Sequence, residues 1–182
     1  GAQALNAYPD FQAFESLDEG TIFPIAHAYY YTPEALEGAK KDGTYQRLLD
    51  MAEFLYWTQN NFYRKFKNAI RDTGYEGPLV ASCWQAASGV PHYYNLHSDA
   101  KIGIIDRHNY FGGGTGWEFK PGPVKNTPMV SNPGSGLLST GMQQVANRPF
   151  ALSEWMSLIP NEWTAEASPL IAMYGLGLQG WD

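Results

Sequence analysis

The chain has 182 residues, with 18 acidic and 12 basic side chains and a formal net charge of -6. Aromatic residues make up 15% and charged residues only 16%, a balance that predicts a single folded domain and excludes a disordered chain. The negative charge, without a Lys/Arg cluster, argues against nucleic-acid binding, and no apolar run approaches the roughly 20 residues of a membrane span. The lone Cys83 excludes an internal disulfide and a cysteine-based metal site.

The first third of the chain contains a long loop and the clearest helix. Residues 1–43 lack a sustained period and predict an irregular, aromatic-rich loop with room for one short helix. Residues 44–72 predict a helix, because apolar side chains recur at spacings of three, four or seven. Thr44 is the expected N-cap, and Gly74 is expected to end the helix.

Four short apolar runs predict strands, at residues 78–84, 101–106, 148–154 and 176–180. The segments between them predict loops at 85–100 and 112–135, a short helix at 137–146 and a helix at 163–174. Strands that are apolar throughout are typical of a parallel sheet covered by helices. In such α/β folds the carboxyl ends of the strands carry the functional site.

Glu154, His108 and Tyr110 are the candidate chemical groups, because each follows or ends a predicted strand. A carboxylate at the mouth of a sheet suits a nucleophile or a general base. His108 and Tyr110 are two positions apart, so their rings point the same way in an extended chain. The alternatives are a surface carboxylate that opens the next loop and a pair of rings that packs at a strand end.

Three tryptophans, Trp84, Trp155 and Trp181, also end predicted strands. Their flat rings suit the C–H faces of sugar rings. Core packing explains any one of them better, but three at equivalent positions favour a sugar-binding platform. A different hypothesis takes His92, His97 and Asp99 as metal ligands, but their loop lacks a helical ligand pattern. Asn161 and Glu162 are interpreted as the start of a helix.

These residues, taken in order, resemble strands five to eight of a clan A retaining glycoside hydrolase, the TIM-barrel group of cellulases, mannanases, agarases and β-galactosidases. His108-Asn109-Tyr110 is similar to the end of strand six, and Leu-Ser-Glu154-Trp to strand seven with its nucleophile. Trp181 is similar to the sugar-stacking tryptophan of strand eight. The resemblance implies an α/β fold, an incomplete (β/α)8 barrel without its N-terminal strands. Residues 1–182 would be one partial catalytic domain, with 1–43 a loop after strand four and 44–182 the barrel portion.

The resemblance implies hydrolysis of O-glycosidic bonds in a β-linked poly- or oligosaccharide, by double displacement and without a cofactor or metal. Glu154 would attack the anomeric carbon, Tyr110 would hold Glu154, and His108 would orient the substrate or the acid. The implied substrate-binding residues are Trp84, Gln85, Asn109, Trp155 and Trp181. The acid/base Glu of the family, which usually follows Asn on strand four, has no counterpart here. We therefore expect it upstream, with this fragment inactive and the whole enzyme secreted or periplasmic.

Two other functions stay open at the level of sequence. One is a non-catalytic carbohydrate-binding module that uses the same tryptophans. The other is a metal-dependent α/β hydrolase that uses His92, His97 and Asp99. The sequence does not name the sugar, the linkage, endo or exo action, or the oligomeric state.

Overall fold

A computed structural model describes residues 12–16, 18–24, 32–85, 92–113, 121–132, 134 and 136–182. These residues form a mixed α/β fold with five α-helices and a two-stranded parallel sheet, and they do not close into a barrel. The chain divides into two compact units, Gly1–Tyr75 with Ala86–Ser98 and Glu76–Gln85 with Asp99–Asp182. None of the described helices combines the length and apolar composition that a membrane span needs.

Helix α2, Tyr45–Asp72, dominates the first unit and confirms the helix predicted at 44–72. Gly74, with a φ of 87°, follows the helix in the left-handed region that favours glycine. Ala52, 1% exposed, packs against Leu55 of the same helix and Tyr94. Only part of the apolar stripe that predicted α2 is therefore buried, since Phe62 and Phe66 on the same stripe are 53% and 56% exposed.

Helix α1, Pro33–Asp42, lies inside the segment predicted as a loop with one short helix. Thr32 begins it, since its side chain accepts a hydrogen bond from the amide of Ala35, and a proline occupies the first turn. Other parts of the predicted loop, residues 1–11, 17 and 25–31, lie outside the described residues.

A buried ion pair holds residues 12–24 against the start of α2. Arg47 Nη1 lies 3.1 Å from Glu15 Oε2, and Arg47 Nη2 donates to both Glu15 Oε1 and the carbonyl of Phe23. The amides of Gln12 and Phe23 also donate to the Glu15 carboxylate, each at 2.8 Å. The hydrogen bond from Arg47, followed by those from the two amides, lowers the pKa of Glu15 from 4.5 to about 2.

Helix α3, His92–Ala100, corrects the prediction of a loop at 85–100. Its buried side is largely polar, because Asn95, Ser98 and Asp99 are each 0% exposed. Because these buried residues are polar, the sequence of α3 lacks the apolar periodicity by which a packed helix is recognised. Residues 86–91 of that prediction lie outside the described residues.

The second unit contains the parallel strands β1, Ile105–Phe111, and β2, Phe150–Ser157. β2 confirms the strand predicted at 148–154, whereas β1 shares only Ile105 and Asp106 with the strand predicted at 101–106 and lies mainly beyond it. Both strands run further than predicted, so His108, Tyr110 and Glu154 lie within strands rather than at their ends. The strand predicted at 78–84 is reduced to one parallel bridge, from Val80 to Ile104. On the opposite edge of β2, the amide of Asp182 donates to the carbonyl of Phe150 at 2.7 Å.

The strand predicted at 176–180 is wrong, because these residues are helical. A continuous helical segment runs through a 3-10 turn, Glu162–Glu166, helix α5, Ala167–Leu170, and a π-helix, Ile171–Gln179. A short apolar run does not distinguish a buried strand from a buried helix. The short helix expected at 137–146 is α4, Leu137–Gly141.

Replacing Glu15 with Gln should loosen residues 12–24 at neutral pH, because Arg47 then loses its buried counter-charge. The folded-state pKa lies below the unfolded value of 4.5, so ionised Glu15 contributes stability above pH 4.5. That contribution is lost as the pH falls towards 2. Amide hydrogen exchange at Phe23 should therefore separate the wild type from Glu15→Gln at about pH 7 and much less at about pH 2.5.

Glu19→Gln, in the same segment, is the matched control and should leave the protection of Phe23 unchanged at both pH values. Equal protection of Phe23 in the wild type and Glu15→Gln at neutral pH would contradict the prediction.

Candidate functional site

The alternating side chains of β1 divide between two faces of the sheet. Arg107 and Asn109 lie on the face that the helices cover, where Arg107 Nη1 pairs with Asp99 of α3 at 2.8 Å and Asn109 donates to Thr140 of α4. Trp155, the partner of Asn109 in the register, donates from Nε1 to the carbonyl of Ala167 at 3.0 Å. Asp106, His108 and Tyr110, at the alternate positions, lie on the opposite face.

A β-bulge places Glu154 on the opposite face. Arg107 pairs with Leu152, but the next residue, His108, pairs with Glu154, which leaves Ser153 as the extra residue. The amide of Ser153 donates to Asp106 Oδ1 at 2.8 Å, so the extra residue keeps a hydrogen-bond partner. Bulges of this kind re-aim a side chain, and this one aligns Glu154 with His108.

Glu154, Tyr110 and His108 form a hydrogen-bonded cluster on this face, here called the carboxylate cluster. The Tyr110 hydroxyl donates to Glu154 Oε2, and His108 Nε2 lies 3.6 Å from Glu154 Oε1. The His108 side chain is 12% exposed, while that of Glu154 is 52% exposed. The cluster therefore presents an accessible carboxylate whose orientation is set by a neighbouring strand, as a nucleophile or general base requires.

A pocket of about 330 Å³ lies beside the carboxylate cluster, with Tyr110 in its wall. Lys125, Thr127, Met129 and Asn132 also line it. Its backbone is closely packed at Gly112, where φ is 65° and an added Cβ would come within 3.1 Å of the carbonyl oxygen of Lys125. Its lining is both polar and apolar, as in many ligand sites. Tyr110 is the member of the carboxylate cluster that lines the pocket, whereas Glu154 and His108 do not.

The residues predicted to bind substrate do not gather around this pocket. Trp84 is 49% exposed, whereas Trp181 is 5% exposed and packs with Trp155, at a centroid distance of 6.3 Å. Trp181 also contacts Phe150, the first residue of β2, so it does not lie at the carboxyl end where it was expected. Trp155 and Trp181 thus pack together on the helix-covered face, whereas Trp84 is exposed.

Gln85 and Asn109 have positions different from those expected of substrate ligands. The Gln85 side chain donates to the carbonyl of His108 at 3.0 Å and so supports the backbone of β1. Asn109 contacts Thr140 on the helix-covered face.

The three residues considered as metal ligands lie on α3 rather than on an exposed loop. His97 Nδ1 is 2.7 Å from the Tyr56 hydroxyl, and Asp99 accepts hydrogen bonds from Arg107 and Ser82. Across the part of the chain that the structure describes, no three potential metal ligands lie together. Elsewhere, Asn161 caps a 3-10 turn by accepting from the amide of Trp163, as expected of a helix start.

Sequence reasoning missed Asp106 and Ser153, which shape the bulge. Asp106 was treated only as the end of an apolar strand, and Ser153 only as the residue before Glu154. The one available signal was their polarity within otherwise apolar runs. That signal alone does not indicate which residue is extra to the register.

No protein-family model, curated protein or solved structure matches this chain. The functional argument therefore depends on the carboxylate cluster and its surroundings.

Asp106→Ala should disturb the bulge, because the amide of Ser153 loses its side-chain acceptor. Asp106 is 7% exposed, so an unsatisfied amide here should cost about 1–3 kcal/mol of unfolding free energy. Denaturant unfolding measures this change. Asp106→Asn, which keeps an acceptor oxygen, is the matched control and should lose less stability than the alanine variant. The prediction fails when the two variants are equally stable.

Proposed function

We propose that this chain is part of a clan A retaining glycoside hydrolase that cleaves a β-linked poly- or oligosaccharide. The observation that carries the proposal is the hydrogen bond from Tyr110 of β1 to Glu154 of β2, beside His108. It joins an accessible carboxylate to an orienting hydroxyl across neighbouring parallel strands. A glycosidase nucleophile needs this combination of exposure and fixed direction.

The order of the extended segments supports a barrel as the finer description of the fold. Val80 bridges Ile104 just before β1, β1 pairs with β2, and Asp182 hydrogen-bonds to the other edge of β2. Segments that lie side by side in chain order, with helices on one face, are the arrangement of consecutive barrel strands. In the proposal the bridge at Val80, β1 and β2 correspond to strands five to seven. The segment assigned to strand eight is helical, and Asp182 alone lies at that edge of β2.

Double displacement assigns a distinct task to each member of the carboxylate cluster. A carboxylate oxygen of Glu154 forms a bond to the anomeric carbon as the glycosidic C–O bond breaks, and a second carboxyl group protonates the leaving oxygen. Water, deprotonated by that second group, then releases the sugar from Glu154. The second carboxyl, about 5–5.5 Å from the first in retaining enzymes, is proposed to lie upstream. Tyr110 fixes the attacking oxygen, and the neighbouring pocket is proposed to hold part of the substrate.

Glu154 can be tested directly with activated glycosides. The reagents are 2-fluoro sugars that carry a dinitrophenolate leaving group. Because dinitrophenolate leaves without being protonated, covalent labelling does not require the second carboxyl group. We expect a panel of such β-glycosides, of glucose, mannose and galactose, to add one sugar to Glu154. Intact mass and peptide mapping would locate the label, and Glu154→Gln should abolish it.

Glu162→Gln is the matched control, because Glu162 lies in the second unit but starts a 3-10 turn. It should label like the wild type. A label on another residue, or no label in a chain whose circular dichroism indicates folding, contradicts the proposal. Polysaccharide binding in the absence of any label would instead support the carbohydrate-binding module.

Tyr110→Phe should slow labelling of Glu154 about 10- to 100-fold, because a hydrogen bond to a charged group contributes about 1.5–3 kcal/mol. The ring remains, so the fold should be retained. The measurement is the labelling rate under saturating reagent, with Tyr75→Phe in the first unit as control. A rate equal to that of the wild type would remove Tyr110 from the proposed mechanism.

A further inference from the structure

We infer that Ser153 is a positioning residue that fixes the His108 proton on Nδ1 and thereby directs the Tyr110 proton to Glu154. The inference about the imidazole stands on the hydrogen-bond geometry, and its catalytic consequence rests on the proposed function. Ser153 is the extra residue of the bulge, so its place beside His108 follows from the register of the sheet.

Three contacts surround the imidazole of His108. Its Nε2 lies 3.0 Å from Ser153 Oγ and 3.6 Å from Glu154 Oε1, and its Nδ1 lies 3.4 Å from the Tyr110 hydroxyl. The neighbouring titratable groups are thus Glu154 on β2 and Tyr110 on β1, with Asp106 on the same face of β1. Segment 77–85 contributes the neutral Gln85, which binds the carbonyl of His108.

One assignment of protons satisfies this network in sequence. An ionised Glu154 only accepts, so the proton between it and Tyr110 belongs to the phenol. The phenol oxygen can then accept a proton from His108 Nδ1. In the neutral ring Nε2 is consequently an acceptor, and the Ser153 hydroxyl, at 3.0 Å, is its donor.

The opposite tautomer weakens the hold on Glu154. With the proton on Nε2, the bare Nδ1 faces the Tyr110 oxygen, and the phenol proton is drawn towards His108 and away from Glu154. The Nε2 proton would then be shared between Ser153 and Glu154 Oε1. The Ser153 hydroxyl can accept this proton as well as donate to Nε2, so it serves both tautomers. Its loss nevertheless costs the Nδ1–H tautomer more, because the Nε2 proton of the other tautomer can still face Glu154 Oε1 at 3.6 Å.

The backbone explains why Ser153 has this role rather than a residue in regular register. The Asp106 carboxylate accepts from the Ser153 amide at 2.8 Å, which fixes the bulged residue beside its neighbours. Its side chain can thus reach His108 although Glu154, one residue later, occupies the register position opposite His108. Two consecutive residues, Ser153 and Glu154, therefore both lie beside the imidazole of His108.

Long-range nitrogen–proton NMR spectra of the 182-residue chain, labelled with ¹⁵N, test the inference without requiring turnover. The ¹⁵N shifts and cross-peak patterns distinguish the Nδ1–H tautomer, the Nε2–H tautomer and the doubly protonated ring. The His108 signals are assigned by their loss in His108→Gln. We expect the Nδ1–H pattern in the wild type and a change of roughly fivefold in the tautomer ratio, towards Nε2–H, in Ser153→Ala.

Ser153→Thr and Ser153→Val form a matched pair, since they have similar shapes and only threonine has a hydroxyl. Threonine should retain the Nδ1–H pattern and valine should lose it, which separates the hydroxyl from a general effect on folding. Ser131→Ala, at an exposed serine of the same unit, should resemble the wild type. An Nε2–H wild type, or a threonine–valine pair with the same tautomer, overturns the inference.

The two proposals fail in different measurements. Nδ1–H in the wild type without covalent labelling of Glu154 would overturn the glycosidase proposal and leave the role of Ser153 intact. Labelling of Glu154 with an unchanged tautomer in the valine variant would do the reverse.

Discussion

The hydrogen bond from the Ser153 amide to the Asp106 carboxylate is the constraint on which the candidate site depends. Without the extra residue that it stabilises, Ser153 would pair with His108, and Glu154 would turn towards the helix-covered face. With it, Glu154 joins His108 and Tyr110. The chemistry proposed for the cluster thus depends on the β-bulge at Ser153, which the buried Asp106 carboxylate stabilises.

The helix-covered face determines which polar residues are available for function. Arg107 is 0% exposed and is paired with Asp99 of α3, while Asn109 and Trp155 are engaged by α4 and α5. These contacts anchor the two strands against their helices. Polar residues of β1 are therefore not all candidates for the site, since Arg107 and Asn109 attach the sheet to its helices.

Sequence patterns predicted some elements better than others. The helix Tyr45–Asp72 followed from its periodicity, although much of its apolar stripe is exposed, and β2 followed from an apolar run. β1 shares only Ile105 and Asp106 with the apolar run that predicted it. The pattern failed at α3, because Asn95 and Ser98 are buried but polar, and at 176–180, where an apolar run forms a π-helix. Glu154, His108 and Tyr110 were identified correctly as neighbours, whereas the bulge was not, because a single extra residue leaves no periodic trace. The predicted position of Trp181 was wrong as well, because it depended on the strand predicted at 176–180.

The two faces of β1 have different consequences for substitution. Substitutions at Arg107 or Asn109 change the attachment of the sheet, whereas substitutions at His108 or Tyr110 change the chemistry presented beside Glu154. Adjacent positions of one short strand thus have separate physical roles. The odd positions attach the sheet to its helices, and the even positions set the groups that lie beside Glu154.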